Sequence, residues 1–257
     1  QHVILKKCCE DIGIEYLCTP FCKEAAEELL KFNLISTAKI GSGELLDFRL
    51  IDYLVKENIS LILSTGMSTL DEIFKSVNFL ESKNAEFALL HCVSEYPPNP
   101  NDISLDTVSL LMGKFPNQII GFSCHTPYIY TALAAATIGA KIIEKHVTLD
   151  KTISCPDQSV SIDFDELKNL VEGIDQIHKS RGIRTDVFEI EKDIKNWARR
   201  VLVIKDNLKK GDLLSINNLT TLRAGEGISS EEFFNYIGRK LNKDVLAGSK
   251  LIDEMLL

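Results

Sequence analysis

The stretch 119–146, IIGFSCHTPYIYTALAAATIGAKIIEKH, restricts the fold of this chain more than any other. Two short, mostly apolar runs, Ile119–Phe122 and Ala140–Ile143, enclose an alanine-rich segment, Pro127–Ile138, that stops at Gly139. Alanine is the strongest helix former and glycine a stop signal, so the pattern predicts strand, helix, strand. A crossover of that length returns the second strand parallel to the first and beside it. Each strand delivers a histidine just past its end, His125 and His146. Neighbouring strands lie ~4.8 Å apart, which puts both imidazoles within reach of one divalent ion. Glu144, Asp150 and Asp157 follow at once. A lone histidine in such a place reads as a packed core residue; two at equivalent strand ends, with acids beside them, read as a site.

The rest of the first 180 residues repeats the theme. His2–Ile12 reads as a helix capped by Gly13. Strands are expected in EYLCTPF (15–21), TAKIGSGE (37–44), LILSTGM (61–67) and FALLHCV (87–93), and helices over Lys23–Phe32, Phe48–Val55, the stretch after the capping box Thr69-Leu70-Asp71-Glu72, and Leu105–Leu111. Together with the 119–146 pair, six strands alternate with helices before residue 150. Most are apolar throughout, as parallel strands covered on both faces are. No GxGxxG or P-loop supports a nucleotide-binding sheet. Polar residues gather instead at one end of each strand: Thr19; Lys39, Ser42 and Glu44; Ser64; His91, Ser94 and Tyr96; Ser123 and His125; His146. A (β/α)8 barrel presents its active face in that way. Eight strands close a barrel and six are found, so either the sheet is open or two N-terminal units lie outside this chain.

After the helical stretch Phe164–Lys179 the texture changes. Residues 186–197 are charged and read as a linker with some helix; residues 198–257 show short strands around a Lys209-Lys210-Gly211 turn and form a small, mostly β domain. A domain of about sixty residues is marginal on its own. The net charge of −8 argues against a nucleic-acid or anionic-membrane surface. No apolar run approaches the ~20 residues of a membrane span, and no signal peptide opens the sequence. Seven cysteines without CxxC spacing point to reduced thiols and a cytoplasmic setting.

Six motifs in order, KIGSGE, LILSTGM, ALLHCVSEYP, GFSCHT, IIEKHVTLDK and CPD, make the chain very similar to the sialic acid synthase family. Its tail, through ARRVLVIKDNLKKGDLL, TLRAGEG and IGRKLNKDVLAGSKL, resembles that family's C-terminal antifreeze-like (SAF) domain. The resemblance implies a TIM-type barrel lacking its first two strands in residues 1–185, a linker over 186–197, and a SAF β-clip domain over 198–257. It also implies condensation of phosphoenolpyruvate with N-acetylmannosamine, or a related amino-mannose, to a nine-carbon acid with release of phosphate. Carried over residue by residue, His125 and His146 match the ligands of Mn2+ or Mg2+. Lys39, Ser42, Ser64 and Ser123 match phosphate-side contacts to phosphoenolpyruvate. Glu44, Tyr96, Glu144 and Asp157 match catalytic residues facing the acceptor sugar, Thr19 and Ser94 its further contacts. Arg223 matches an arginine that a partner's SAF domain lends to the active site of a swapped homodimer.

The chain departs from the family pattern in places. Cys124 and Cys155 stand where aspartate and glycine are usual, Ser94 where asparagine is common, and Ala224 where proline follows the arginine. Cys124 is open to two readings, a packed thiol or a third, soft metal ligand. The family's first two strands, with a glutamate and a Lys-x-Gln pair, have no counterpart here. Two functional expectations follow: a nonulosonate synthase, or a silent remnant of one that binds sugar or phosphate without turnover.

Overall fold

The computed structural model describes all 257 residues. They form two compact units, Gln1–Arg181 and Gly182–Leu257. The first runs α1 (His2–Ile12), α2 (Lys23–Lys31), β1 (Thr37–Ile40), α3 (Phe48–Lys56), β2 (Ser60–Ser64), α4 (Leu70–Ser82), β3 (Phe87–Cys92), α5 (Thr107–Lys114), β4 (Ile119–Cys124), α6 (Tyr130–Ile138), β5 (Ile143–Lys145) and α7 (Phe164–Ser180). All five strands are parallel and lie in sequence order, β1-β2-β3-β4-β5. Sequential order with right-handed crossovers puts every connecting helix on one face, the arrangement of a barrel wall rather than a doubly wound sheet.

The expected strand at residues 15–21 is reduced to a single parallel bridge, Cys18 to Ala38, with the Lys39 N–H donating to the Cys18 carbonyl at 3.0 Å. The sheet therefore has five strands, not six. Apolar character was the only signal for that strand, and Leu17 and Phe21 remain exposed. Two helices begin later than expected. Pro116 lies beyond α5, which starts at Thr107; α6 starts at Tyr130 because Pro127 and Tyr128 form a turn in which the Thr126 hydroxyl donates to the Tyr128 carbonyl at 3.0 Å.

Alternation along each strand sorts the side chains. Ala38, Ile40, Leu61, Leu63, Phe87, Leu89, Ile120, Phe122 and Cys124 face the helices and join one core with Leu50, Leu54, Val77, Leu80, Leu111, Ala135 and Leu170. Lys39, Ser64, Cys92, Ser123 and Glu144 take the other parity and face the inside of the sheet. Helix starts are fixed locally. The Asp47 side chain accepts from the Arg49 and Leu50 N–H groups at α3, and capping boxes at Thr69/Glu72 and Asp163/Glu166 open α4 and α7.

In the second unit α8 (Lys192–Ala198) precedes an antiparallel pair, β6 (Val201–Ile204) with β7 (Leu219–Leu222), and α9 spans Phe233–Tyr236. Single bridges Val203–Lys250, Leu208–Val245, Leu213–Lys240 and Leu241–Leu256 complete it around Leu202, Ile204, Leu214, Leu219 and Leu251. The segment expected to be a linker with some helix carries most of α8, and the stretch after the Gly211 turn (φ 97°) is regular strand only at β7.

Candidate active site

Inward parity brings the strand-end polar residues into one cavity of about 460 Å³. Its walls include Thr19, Lys39, Ser42, Glu44, Ser64, Ser94, Tyr96, Ser123, His125, Glu144 and His146. Another cavity, of about 390 Å³, lies against α2 and is lined largely by side chains such as Ala25, Leu29, Phe32 and Leu34. It gathers no comparable polar set, so the chemistry sits at the strand ends.

Because Cys124 pairs with Lys145 in the β4–β5 register, His125 and His146 leave their strands side by side. Their ring centroids are 5.2 Å apart. The His125 Nδ1–H donates to the Val93 carbonyl at 2.8 Å; a carbonyl only accepts, so Nε2 carries the free lone pair. Burial holds both imidazoles below the usual histidine range, and for His146 the neighbouring His125 adds to the effect. Both are neutral donors at pH 7. Tyr96 stacks on His125 with centroids 4.1 Å apart and meets His146 edge-on at 5.9 Å. Asp157 Oδ2 stands 3.6 Å from His146 Nδ1.

In the same cavity Lys39 is almost fully buried, with Nζ 3.5 Å from Glu144 Oε2 and donating to its neighbour Ile40's carbonyl at 2.9 Å. The Ser123 hydroxyl donates to Glu144 Oε1 at 2.6 Å. Ser42 Oγ accepts the Gly66 N–H at 3.0 Å, and a Cβ on Gly66 would stand 2.4 Å from Ser94 Oγ. The buried Ser64 hydroxyl has no partner within the protein. A buried unpaired hydroxyl costs free energy unless something else satisfies it.

Two neutral imidazoles with a carboxylate beside one of them suit a divalent ion, and no third His, Cys, Asp or Glu joins them in a ligand cage. Such an ion would keep most of its positions for substrate or water. Cys124 is turned away: its Sγ lies 3.2 Å from Thr126 Oγ1 and 3.3 Å from Thr131 Oγ1, on the helix side of β4. That excludes the reading as a third ligand. His91, expected on the active face, also has outward parity. Its Nε2–H donates to the Ile103 carbonyl at 2.7 Å and its ring packs on Phe122. Cys92 takes the inward place, with Sγ 3.9 Å from His125 Nδ1 and its thiol pKa raised by burial. Counting alternate residues back from Ser94 would have found it. Phe21 and Met67, exposed at the mouth, were not legible as site residues; only the left-handed backbone of Met67 (φ 57°) marks that loop as unusual. Asp150 serves its own turn, accepting from the Thr152 N–H and hydroxyl, both at 2.7 Å. Arg223 belongs to the second unit, where its guanidinium lies over the Trp197 ring at 5.4 Å.

The sequence profile of the NeuB family matches residues 1–186. The N,N'-diacetyllegionaminic acid synthase of Campylobacter jejuni is 38% identical over 93% of this chain and 71% of its own length. The human N-acetylneuraminate-9-phosphate synthase is 29% identical over 100% of this chain and 72% of its own. The crystal structure of an N-acetylneuraminic acid synthetase from Leptospira borgpetersenii superposes with a TM-score of 0.69 at 31% identity, covering 75% of this chain and 67% of that one. The profile spans every strand of the parallel sheet and the whole of the cavity, and on that ground the chain belongs to the NeuB family, the family of the sialic acid synthases.

Proposed function

We propose that the cavity condenses phosphoenolpyruvate with N-acetylmannosamine or a related amino-mannose, forming a carbon–carbon bond and releasing phosphate. The observation that supports it is the buried Ser64 hydroxyl, unpartnered and lining the same cavity as the Lys39 ammonium. A point charge with hydroxyls around it suits a phosphate group. Lys39, Ser42, Ser64 and Ser123 hold the phosphoenolpyruvate end. Glu44, Tyr96 and Asp157 face the sugar, with Thr19 and Ser94 at the rim. His125 and His146 hold Mn2+ or Mg2+, which when bound supplies Lewis-acid polarisation of the sugar's aldehyde oxygen. The enol carbon of phosphoenolpyruvate bonds to the aldehyde carbon, whose oxygen becomes a hydroxyl by taking one proton of the water. The water oxygen adds at the carbon bearing phosphate, and the bond from that carbon to the phosphate oxygen then breaks, leaving the keto group and a phosphate that carries the second proton. In this reading Glu144, held by Ser123 and Lys39, faces the sugar with Glu44, Tyr96 and Asp157 and relays the proton that water gives up. Holding two substrates in one geometry accounts for much of the rate. The same reading has Arg223 supplied by a second copy of the chain in a homodimer.

The test is phosphate release from phosphoenolpyruvate, followed by 31P NMR with Mn2+ and either N-acetylmannosamine or a diacetamido trideoxymannose. Release should require both the amino-mannose and the metal, and His125→Ala should lower it by roughly 10²–10³-fold. Saturable phosphoenolpyruvate binding with no release under any of these conditions would replace this reading with that of a binding remnant.

A further inference from the structure

Lys145 stands between Glu144 and His146 yet does not line the cavity that both of them enter. By strand parity Glu144 and His146 point inward, and Lys145 points to the opposite face beneath the strand ends. There its Nζ meets three main-chain carbonyls. It donates to Cys124 at 3.4 Å, to Val160 at 3.2 Å, and to Thr126 through a short contact.

The origin of these carbonyls is what matters. Cys124 and Thr126 flank His125 on either side. Val160 closes the turn Gln158–Val160 that begins directly after Asp157, and the Asp157 carbonyl is held by the Ser161 hydroxyl at 2.7 Å. The next residue, Ile162, donates its N–H to the His146 carbonyl at 3.0 Å. An ammonium has three N–H donors, and three carbonyls use them all. A single side chain thus ties together the backbone of the first histidine, the backbone beside the second, and the segment bearing the carboxylate near it.

We propose that Lys145 is a positioning residue that fixes the geometry of the His125–His146 pair and of Asp157 beside it. This rests on the reading of that pair as the divalent-metal site. Without the ammonium three carbonyls lose a shared donor, and the turns carrying the two imidazoles are no longer clamped to each other. Groups that orient metal-binding histidines from behind are worth about 10–100-fold in affinity.

The experiment is a titration of the full chain with Mn2+, reading free ion by electron paramagnetic resonance, for wild type, His125→Ala, Lys145→Met and Lys145→Arg. His125→Ala tests the metal site itself: it should abolish binding. Lys145→Met should weaken Mn2+ by about 10–100-fold while cooperative melting persists. Lys145→Arg keeps the buried charge but spreads its donors in a plane, so its affinity should fall several-fold below wild type yet stay above that of Lys145→Met. Mn2+ affinity within twofold of wild type in either folded Lys145 variant overturns the proposal. Loss of cooperative melting in both makes Lys145 a residue of the fold and overturns it equally. A wild-type chain that binds no Mn2+, or a His125→Ala chain that binds as wild type does, removes the metal reading and this inference with it.

Discussion

At the scale of single residues the site is organised by which hydrogen bonds are made and which are left open. Ser123 is committed to Glu144, His125 Nδ1 to Val93, and Lys39 to Glu144 and Ile40. Ser64 alone among the buried hydroxyls lining the cavity is uncommitted. Its removal therefore breaks no internal bond. Ser64→Ala should leave the denaturant midpoint unchanged or slightly raised, since it deletes an unsatisfied buried group. The same variant should weaken phosphoenolpyruvate binding by roughly tenfold or more, the worth of a hydrogen bond to a charged acceptor. Calorimetric titration beside a urea melt checks both halves. A large loss of stability with unchanged binding would place Ser64 in the scaffold.

At the scale of elements, α4 shows local and tertiary terms separately. Its start is written in sequence: Thr69 Oγ1 accepts the Glu72 N–H at 3.3 Å, and Glu72 Oε2 accepts the Thr69 N–H at 2.7 Å. Its hold on the sheet comes from Ile73, Val77 and Leu80 on one face. Thr69→Ala should cost about 1 kcal/mol, and Leu80→Ala about 2–5 kcal/mol, measured by urea unfolding. If the cap proved the dearer of the two, packing would not be what fastens this helix. The bridge at Cys18 teaches the converse. Residues 15–21 have strand composition, yet a strand is defined by a ladder, and only one rung forms there.

At the scale of the molecule, three histidines sit in the first unit with pKa values held down chiefly by burial: His91, His125 and His146. A histidine depressed in the folded state is protonated more readily in the unfolded chain. The unfolded state then binds more protons once pH drops below the ordinary value of ~6.5, and stability falls with pH from there until the folded values are reached. Above that range the three contribute their full share. Urea midpoints should accordingly be flat from pH 8 to 7 and decline toward pH 5.5. His91→Gln keeps a donor for the Ile103 carbonyl without a titrating ring, and should flatten part of the decline. A midpoint that rises on acidification would contradict the burial of these rings. No helix is long and apolar enough to cross a membrane.

The sequence by itself determined the alternation of helix and strand, the parallel β4–β5 pair, and the two histidines at its end. Those features follow from short-range signals: alanine runs, glycine stops, caps, and the length of a crossover. It also gathered Lys39, Ser42, Ser64, Tyr96, Ser123 and Glu144 as residues of one site. Only the tertiary structure decided that His91, Cys124 and Lys145 turn to the other face of the sheet. Period-2 alternation makes that choice turn on a single residue of phase, and a strand apolar on both faces leaves the phase unwritten until neighbouring strands set the register.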